Sequence, residues 1–191
     1  GSPWPFNPRA RPVAFDGGVI AISGSLIIKM RPTGDLSRAW EADEVSLLAS
    51  HMIRSPDAIA VTSNFAGGPE RYAVIRNSDN TLAVMQLVDS QKIRNFTPWS
   101  TNGKILCVEA IDDMVYMVVE RRIGVGSEYV LEVLDQSLTL DAVTKYTDLS
   151  LVPSRYSTSE VNVRVDNYHL GTYPVAIDNL PLGPYEVGFR F

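Results

Sequence analysis

The stretch "YAVIRNSDNTLAVMQLVD", Tyr72 to Asp89, contains two apolar runs separated by four polar residues, Asn77 to Asn80. Asn, Asp and Ser favour turns because their short side chains bond nearby backbone and tolerate left-handed conformations. The flanking runs are rich in residues that favour strands. This stretch therefore predicts a β-hairpin, and the same pattern recurs along most of the chain.

Other segments repeat the alternation of apolar run and turn. Gly24-Ser25 divides the apolar segment from Gly17 to Arg31, which predicts a second hairpin with a tight glycine turn. Short strands separated by turn signals predict an antiparallel sandwich, barrel or propeller. The further strand candidates are 58–62, 71–76, 81–88, 93–99, 105–111, 114–120, 129–134, 161–165, 173–177 and 186–191.

One segment, "ADEVSLLASHMI", has helical rather than strand periodicity. Val45, Leu48, Ala49 and Met52 follow the i, i+3, i+4, i+7 spacing of an amphipathic helix. Asp43 suits the positive N-terminal end of such a helix. We expect a helix of about three turns near residues 43–53, lying on the sheet.

The order of these elements predicts the domain organisation. Four-stranded meanders in series are typical of propeller blades, and a new meander begins at Ile105. The predicted fold is mainly β, with antiparallel meanders, a partial β-propeller-like portion, one short helix and a small C-terminal β unit. Residues 1–11 are interpreted as a tag and extended lead-in, 12–143 as the propeller-like portion and 144–191 as the C-terminal β region.

Composition excludes several classes of protein. With 22 acidic and 17 basic residues the net charge is −5, and a general nucleic-acid-binding surface would need a basic patch. The longest basic run, Arg121-Arg122, is interpreted as a solvated strand edge. Cys107 is the only cysteine, so no intrachain disulfide is possible, and we expect it to be a small buried hydrophobe. No apolar stretch approaches the roughly 20 residues of a membrane span, so no membrane anchor is predicted.

Histidines and glycines give no pattern of a metal or cofactor site. His51 and His169 lack neighbouring ligands at metal spacing, so we predict structural roles for both, with His169 in a turn. The glycines of "GVGSEY" precede a predicted strand, whereas a phosphate site needs a helix N-terminus. A hairpin turn is the better interpretation, and no cofactor is predicted.

Carboxylates could in principle perform glycoside hydrolysis or bind calcium. Turn chemistry explains each candidate acid, so no catalytic residue is predicted. A plain turn is likewise favoured over a calcium loop for "NSDN". The acids considered are Asp89, Asp112, Asp113, Asp135 and Asp141.

Taken together, several segments resemble the C-terminal half of a phage protein family. The segments are "ADEVSLLASHMI", "IAVTSNFAGGPERYAVIRNSDNTLAVMQLVDSQKIRNFTPWST", "ILCVEAIDDMVYMVVERR" and "EYVLEVLD", with the preceding "PVAFDGGVIAISGSLIIKMR". In order and spacing they are similar to the tail nozzle proteins of short-tailed bacteriophages, also called tail tubular protein B or stabilisation proteins. The resemblance covers roughly residues 12 to 190. The family's larger N-terminal half has no counterpart here, and the loop around the "DDMVY" strand is shorter than the family's.

The resemblance implies a structural, non-enzymatic virion protein. Family members are propeller-like subunits of a six-fold ring at the tail tip, around the channel through which the genome leaves. The implied partners are other copies of the subunit, other tail proteins and DNA that passes without specific binding. The implied location is the phage tail, after synthesis in the host cytoplasm.

Three aromatic residues are predicted as packing or interface anchors: Trp40, Phe96 and Trp99. Aromatic side chains bury large areas and serve most often in cores or subunit interfaces. An alternative function from another class is a host-surface carbohydrate-binding or wall-degrading tail domain, which would need an aromatic shelf or acids facing across a cleft. A third hypothesis is a propeller-type interaction scaffold without a phage context.

Overall fold

The computed structural model describes residues 4–62, 71–88, 93–123, 126–135, 137–146, 160–166, 168–173 and 183–189. These residues form fifteen strands in four antiparallel sheets, together with one short 3-10 helix. The predicted mainly-β fold with antiparallel meanders and little helix is confirmed.

The first sheet is a four-stranded meander in which neighbours in sequence are neighbours in space. Gly24 has a φ of +61° and Gly17 a φ of +71°, which L-residues adopt with strain, so glycine permits both tight turns. The hairpin at Gly24-Ser25 is confirmed, and the first and fourth strands were not predicted. The strands are β1 (Val13–Phe15), β2 (Gly18–Ser23), β3 (Leu26–Pro32) and β4 (Trp40–Glu44).

The second sheet is also a four-stranded meander, and the hairpin predicted from Tyr72 to Asp89 forms its centre. Asn80 in the turn has a φ of +67°, which the short Asn side chain tolerates. The predicted boundaries of its last strand match those observed. The strands are β5 (Pro56–Thr62), β6 (Tyr72–Asn77), β7 (Leu82–Val88) and β8 (Ile93–Trp99).

These two sheets share one apolar core. Phe15, Ile22 and Ile27 of the first sheet pack in one cluster with Ile75 and Met85 of the second. All five are fully buried, and every other residue of β6 and β7 contributes to the cluster because side chains alternate across a strand. The period-two pattern of the sequence therefore selects the core face of the central hairpin.

The predicted three-turn α-helix near 43–53 is wrong. Residues 42–44 end strand β4, and only Leu47–Met52 is helical, with 3-10 geometry. The buried Ser46 hydroxyl accepts a hydrogen bond from the Ile27 backbone N–H (2.9 Å), which keeps the chain beside β3 until that residue.

The 3-10 geometry also changes which leucines are buried. The helix is kinked at Ala49, whose φ and ψ (−119° and 18°) are non-helical, and there Ala49 is buried while Met52 packs against the apolar core. Leu48, one residue earlier, is 95% exposed. The prediction was correct for Val45, Ala49 and Met52 and wrong for Leu48.

The third sheet is a three-stranded meander with the order β11-β10-β9. Its start near Ile105 confirms the predicted new meander. Cys107 lies on β9 and is exposed, so the expectation of a small buried hydrophobe is wrong, because its part of the strand is open to solvent. The strands are β9 (Lys104–Ile111), β10 (Met114–Ile123) and β11 (Gly126–Val133).

The fourth sheet has the order β12-β15-β13-β14, which is no longer a simple meander. Val161, Val163, Tyr185 and Val187 form its buried cluster, which confirms the alternation predicted for 161–165. The strand predicted at 173–177 is wrong in its start, since β14 already ends at Tyr173, and 174–177 lie outside the described residues. The strands are β12 (Asp141–Tyr146), β13 (Val161–Val165), β14 (Tyr168–Tyr173) and β15 (Tyr185–Phe189).

Contacts divide the chain into two compact units. The first comprises Gly1–Ser100 and Ile105–Val118, and the second comprises Thr101–Lys104 and Val119–Phe191. Residues 143 and 144, the predicted boundary of the C-terminal region, both lie within β12, and that division stays a prediction. Among the described residues no helix is long and apolar enough to cross a membrane.

Candidate functional site

A groove of about 710 Å³ lies in the first unit, between the 3-10 helix and the edge strand β8. Two of the three predicted anchors, Phe96 and Trp99, line it. Edge strands and short helices expose side chains that a sheet interior would cover, so this is where a groove can open. The lining residues are Glu44, Val45, Leu47, Leu48, Ala49, His51, Met52, Tyr72, Val84, Gln86, Arg94, Asn95, Phe96, Thr97 and Trp99.

Strand register explains how β8 supplies both aromatic anchors. Phe96 is opposite Met85 and packs on the apolar core, whereas Trp99 is opposite Leu82 and lies three residues further along. Because side chains alternate across a strand, Phe96 and Trp99 belong to opposite faces of β8. The groove therefore follows the free edge of the sheet and reaches residues of both faces.

The wall opposite β8 is made by the 3-10 helix. Leu47 and Leu48 are 65% and 95% exposed, an unusual state for two consecutive leucines. The helix is anchored at Ala49, which is buried and whose backbone N–H donates a hydrogen bond to the Ser46 carbonyl (2.8 Å). The leucines are thus presented outward by an anchored segment.

Polar groups are interspersed with these apolar side chains. Gln86 and Asn95 are cross-strand partners on one face of the sheet, on the same side as Tyr72. The Oε1 atom of Glu44 is buried and lacks a hydrogen-bond partner within the described part of the chain. A buried carboxylate oxygen without a donor is costly, so a ligand or partner that supplies a donor would be favoured there.

The third predicted anchor, Trp40, is not part of this groove. It is the first residue of β4, opposite Pro32, and is 59% exposed. The structure thus brings Phe96 and Trp99 into one groove and leaves Trp40 on another part of the surface of the first unit.

The second unit contains a buried ion cluster that the sequence analysis missed. Arg121, interpreted there as part of a solvated edge, is only 2% exposed, whereas Arg122 is exposed as predicted. Its guanidinium donates to both carboxylate oxygens of Glu132 and to those of Asp141 at 3.1 and 3.3 Å. It also donates to the Thr101 hydroxyl (2.8 Å) and the Asn102 carbonyl (2.7 Å).

This cluster has the properties of a structural centre. Burial alone would lower the pKa of Arg121, but the hydrogen bonds that its guanidinium donates to Glu132 and Asp141 outweigh this effect, and the pKa is raised. Asp141 accepts further hydrogen bonds from the Thr101 hydroxyl (2.6 Å) and the Asn102 N–H (2.7 Å). All the charges are paired, so the cluster has no group free to act as a base or nucleophile.

Of the acids considered as catalytic candidates, Asp112, Asp113 and Asp135 lie in turns, as predicted. The Asp79 carboxylate accepts from the N–H and hydroxyl of Thr81, and the Asp135 carboxylate accepts from those of Ser137, which are the bonds of an Asx turn. Asp141 is the exception, because it begins β12 and belongs to the ion cluster. Asp89 lies outside the described residues.

The histidines form no metal site among the described residues. His51 is exposed in the 3-10 helix, and His169 lies within β14 rather than in the predicted turn, 2.8 Å from the Asn162 carboxamide oxygen. No group of three His, Cys, Asp or Glu residues gathers in the part of the chain that the structure describes. Gly124 and Val125 of "GVGSEY" lie outside that part, and the strand β11 begins at Gly126, as the hairpin prediction requires.

Comparison with known proteins gives no family assignment. No protein-family model matches the chain, and no curated protein matches it either. The resemblance to phage tail nozzle proteins therefore stays a prediction.

Proposed function

We propose that this chain is a structural assembly protein that works through contacts with other protein subunits, as a component of a bacteriophage tail nozzle. The observation that carries the proposal is the placement of large apolar side chains on the surface of strands β4 and β11 and of the 3-10 helix. Trp40, Leu48, Tyr129 and Leu131 are all more than half exposed. Exposed apolar patches on an ordered scaffold are typical of interaction surfaces.

The chemistry of the described residues supports a non-enzymatic role. Asp79 and Asp135 accept hydrogen bonds in Asx turns, and Glu132 and Asp141 are paired with Arg121. No group of three His, Cys, Asp or Glu residues gathers among the described residues.

The groove lining combines apolar side chains such as Leu47 and Leu48 with polar ones such as Gln86 and Asn95, which suits a protein partner. The net charge of −5 would limit adhesion of DNA to the subunit, as a conduit requires.

The proposal places the chain in a ring of identical subunits that also docks other tail proteins. We would measure native mass at rising concentration, for this chain and for the longer subunit that the resemblance implies. A ring near six subunits formed by the longer subunit supports the proposal. A longer subunit that stays monomeric at all concentrations contradicts it.

A second candidate function is recognition of host-surface carbohydrate by the same groove. The observation that favours it is the combination of Tyr72 and Trp99 with Gln86, Asn95 and the unpartnered Glu44 oxygen in one lining. Aromatic faces and side-chain amides are the groups that contact sugar rings and hydroxyls. Trp99→Ala should then abolish binding to a panel of cell-wall glycans, and Trp40→Ala, outside the groove, should leave it unchanged. Absence of glycan binding by the unmodified chain would dismiss this candidate.

A further inference from the structure

The outer strand of the third sheet, β11, is an edge strand with an apolar outward face. In the order β11-β10-β9 it has a neighbour on one side only within the described residues. Tyr129, Leu131 and Val133 alternate along it and are 68%, 69% and 40% exposed. An edge strand presents unpaired N–H and C=O groups, so an exposed apolar edge is a template for another strand.

The inner face of the same strand is fixed in place. Glu132 lies between Leu131 and Val133, on the opposite face, where both its oxygens accept hydrogen bonds from the buried Arg121. An inward-pointing charge normally discourages edge pairing, but this one is neutralised by its arginine. The contact between Glu132 and Arg121 therefore holds β11 in place, but it does not protect the edge of β11 from pairing with another strand.

Among the described residues the other edge strands are β1, β4, β5, β8, β9, β12 and β14, and each carries a feature that discourages pairing. β4 contains three acidic residues, β9 begins with Lys104, and β12 contains Lys145 and a register shift. β8 contains Pro98, which has no N–H to donate, and β5 begins with Pro56 beside an irregular register. β14 has a register shift near Gly171, and β1 is three residues long. β11 is eight residues long and its sequence, GSEYVLEV, contains neither Pro nor Lys.

We propose that β11 pairs antiparallel with β11 of a second copy of this chain, about a two-fold axis at Leu131. In this register Leu131 faces Leu131 of the second copy, and Tyr129 faces Val133 of the second copy. Glu132 then faces Val130 and Glu128 faces Leu134, so no two carboxylates oppose each other. All three outward apolar side chains gain an apolar cross-strand partner, which is the pairing that stabilises a sheet.

Neighbouring registers are less favourable for the same strand. Centring the pair on Val130 sets Glu128 opposite Glu132 of the second copy, and like charges directly opposite are destabilising. Centring it on Tyr129 sets Leu131 opposite Ser127 and leaves Val133 beyond the end of the partner strand. Only the Leu131 register matches apolar with apolar residues and keeps the acids apart. This inference needs only a second copy of the chain and stands apart from the phage-tail proposal.

Disulfide cross-linking tests the register directly. In a Cys107→Ser background, which removes the exposed native thiol, Leu131→Cys should form an interchain disulfide under mild oxidation. Residues directly opposite in an antiparallel pair have Cα atoms about 4.5 to 5.5 Å apart, within the range that a disulfide bridges. Tyr129→Cys is the matched control, because four residues of offset separate the two thiol-bearing Cα atoms by roughly 13 Å.

Cross-linking of Leu131→Cys with little cross-linking of Tyr129→Cys supports the proposal. Equal cross-linking at both positions, or cross-linking at Tyr129→Cys alone, overturns it. Native mass provides the second measurement: the unmodified chain should be a dimer, and Leu131→Lys should weaken dimerisation at least about tenfold by placing two ammonium groups opposite each other. Leu36→Lys, at a fully exposed site between β3 and β4 and outside the groove, should leave the dimer unchanged.

Amide hydrogen exchange separates this pairing from the capture of a foreign strand. Protection of the β11 amides that increases with chain concentration supports pairing of two copies. A chain that stays monomeric while an unrelated peptide of alternating Val and Thr protects β11 would contradict the second-copy inference. A circular dichroism spectrum like that of the unmodified chain shows that each variant is folded.

Discussion

The first compact unit buries a continuous apolar cluster between two sheets, whereas the second unit combines a smaller apolar cluster with a fully paired arginine. The first unit also contains a buried cation, Lys29, but its partner Asp16 is 40% exposed and can be hydrated. The partners of Arg121 are themselves largely buried. We therefore expect the free energy lost on removing a buried cation to depend on whether its counter-ion can be hydrated.

The consequence is a difference in how each unit responds to damage. Shortening a side chain in an apolar core lowers the free energy of unfolding by an amount that increases with the volume removed. A buried ion cluster loses much more when one member is removed, because the other charges remain without compensation. Four predictions test this comparison, from the largest expected effect to the smallest.

Replacing Arg121 should have the largest effect. Arg121→Met leaves Glu132 and Asp141 without their cation, and breaking a buried pair costs about 3 to 5 kcal/mol of the free energy of unfolding. The measurement is urea denaturation followed by far-ultraviolet circular dichroism. Adding Glu132→Leu to Arg121→Met should recover part of the loss, since one unpaired carboxylate is then gone. A loss below about 1 kcal/mol for the single variant would show that water replaces the arginine.

Trimming the apolar core should have an intermediate effect. Ile75→Val removes one buried methylene group and should cost about 0.5 to 1.5 kcal/mol. Tryptophan fluorescence during urea denaturation follows this unit, because Trp4, Trp40 and Trp99 all belong to it. Leu36→Val at a fully exposed site is the control and should change nothing measurable. Equal losses in the two variants would contradict the assigned core.

Replacing Lys29, the buried cation of the first unit, should have a smaller effect than replacing Arg121. Lys29→Met fills the space of the lysine stem over the Phe15 ring and leaves Asp16 at the surface. We expect a change within about 1 kcal/mol, since an accessible carboxylate is solvated when its partner is lost. Thermal unfolding of Lys29→Met beside Arg121→Met compares the two charges directly. A loss as large as that of Arg121→Met would refute the role of counter-ion exposure.

Replacing the turn aspartates Asp79 and Asp135 should have the smallest effect on stability, and this effect should depend on pH. Hydrogen bonds from Thr81 lower the pKa of Asp79, and hydrogen bonds from Ser137 lower the pKa of Asp135. A carboxyl whose folded pKa is depressed stabilises the fold fully above its unfolded pKa, roughly 3.9, and this is lost as pH falls through the folded value. Asp79→Asn and Asp135→Asn should each lower stability at neutral pH by less than about 1 kcal/mol.

The pH dependence provides the internal control of that experiment. Because Asn can keep the Asx turn but carries no charge, the difference from the unmodified chain should shrink towards zero near pH 2. Urea denaturation at neutral and acid pH measures it, with one aspartate in each unit. A difference that persists unchanged in acid would show that the side-chain charge contributes nothing.

Local patterns predicted most of the strands but not β1, β4, β12 and β14. The Tyr72–Asp89 hairpin and the Gly24-Ser25 hairpin depend on turn chemistry and on alternation within about eighteen residues, and both are confirmed. Strand β8 matched its predicted boundaries for the same reason. The helix prediction for residues 45–52 was wrong because Val45 and Ser46 continue beside β3, where both form hydrogen bonds with the backbone of Ile27, a residue distant in sequence.

The candidate sites were less predictable. Phe96 and Trp99 were identified by residue type, but their joint position in one groove follows from the register of β7 and β8 and from the 3-10 helix. The alternation of Tyr129, Leu131 and Val133 is visible in the sequence, yet nothing local shows that this face is the exposed one. Arg121 beside Arg122 looks like a solvated pair until Glu132 and Asp141 are brought to it.

The sequence by itself determined the mainly-β class, the turns and the period-two core face, because these depend on backbone preferences and burial within one hairpin. Only the tertiary structure decided which charges are buried, which edge is left open and where a groove forms. Arg121 and Asp141 are twenty residues apart, on strands of two different sheets, and only the folded chain brings them together. Interactions between distant elements decide such features, and single-sequence patterns carry no record of them.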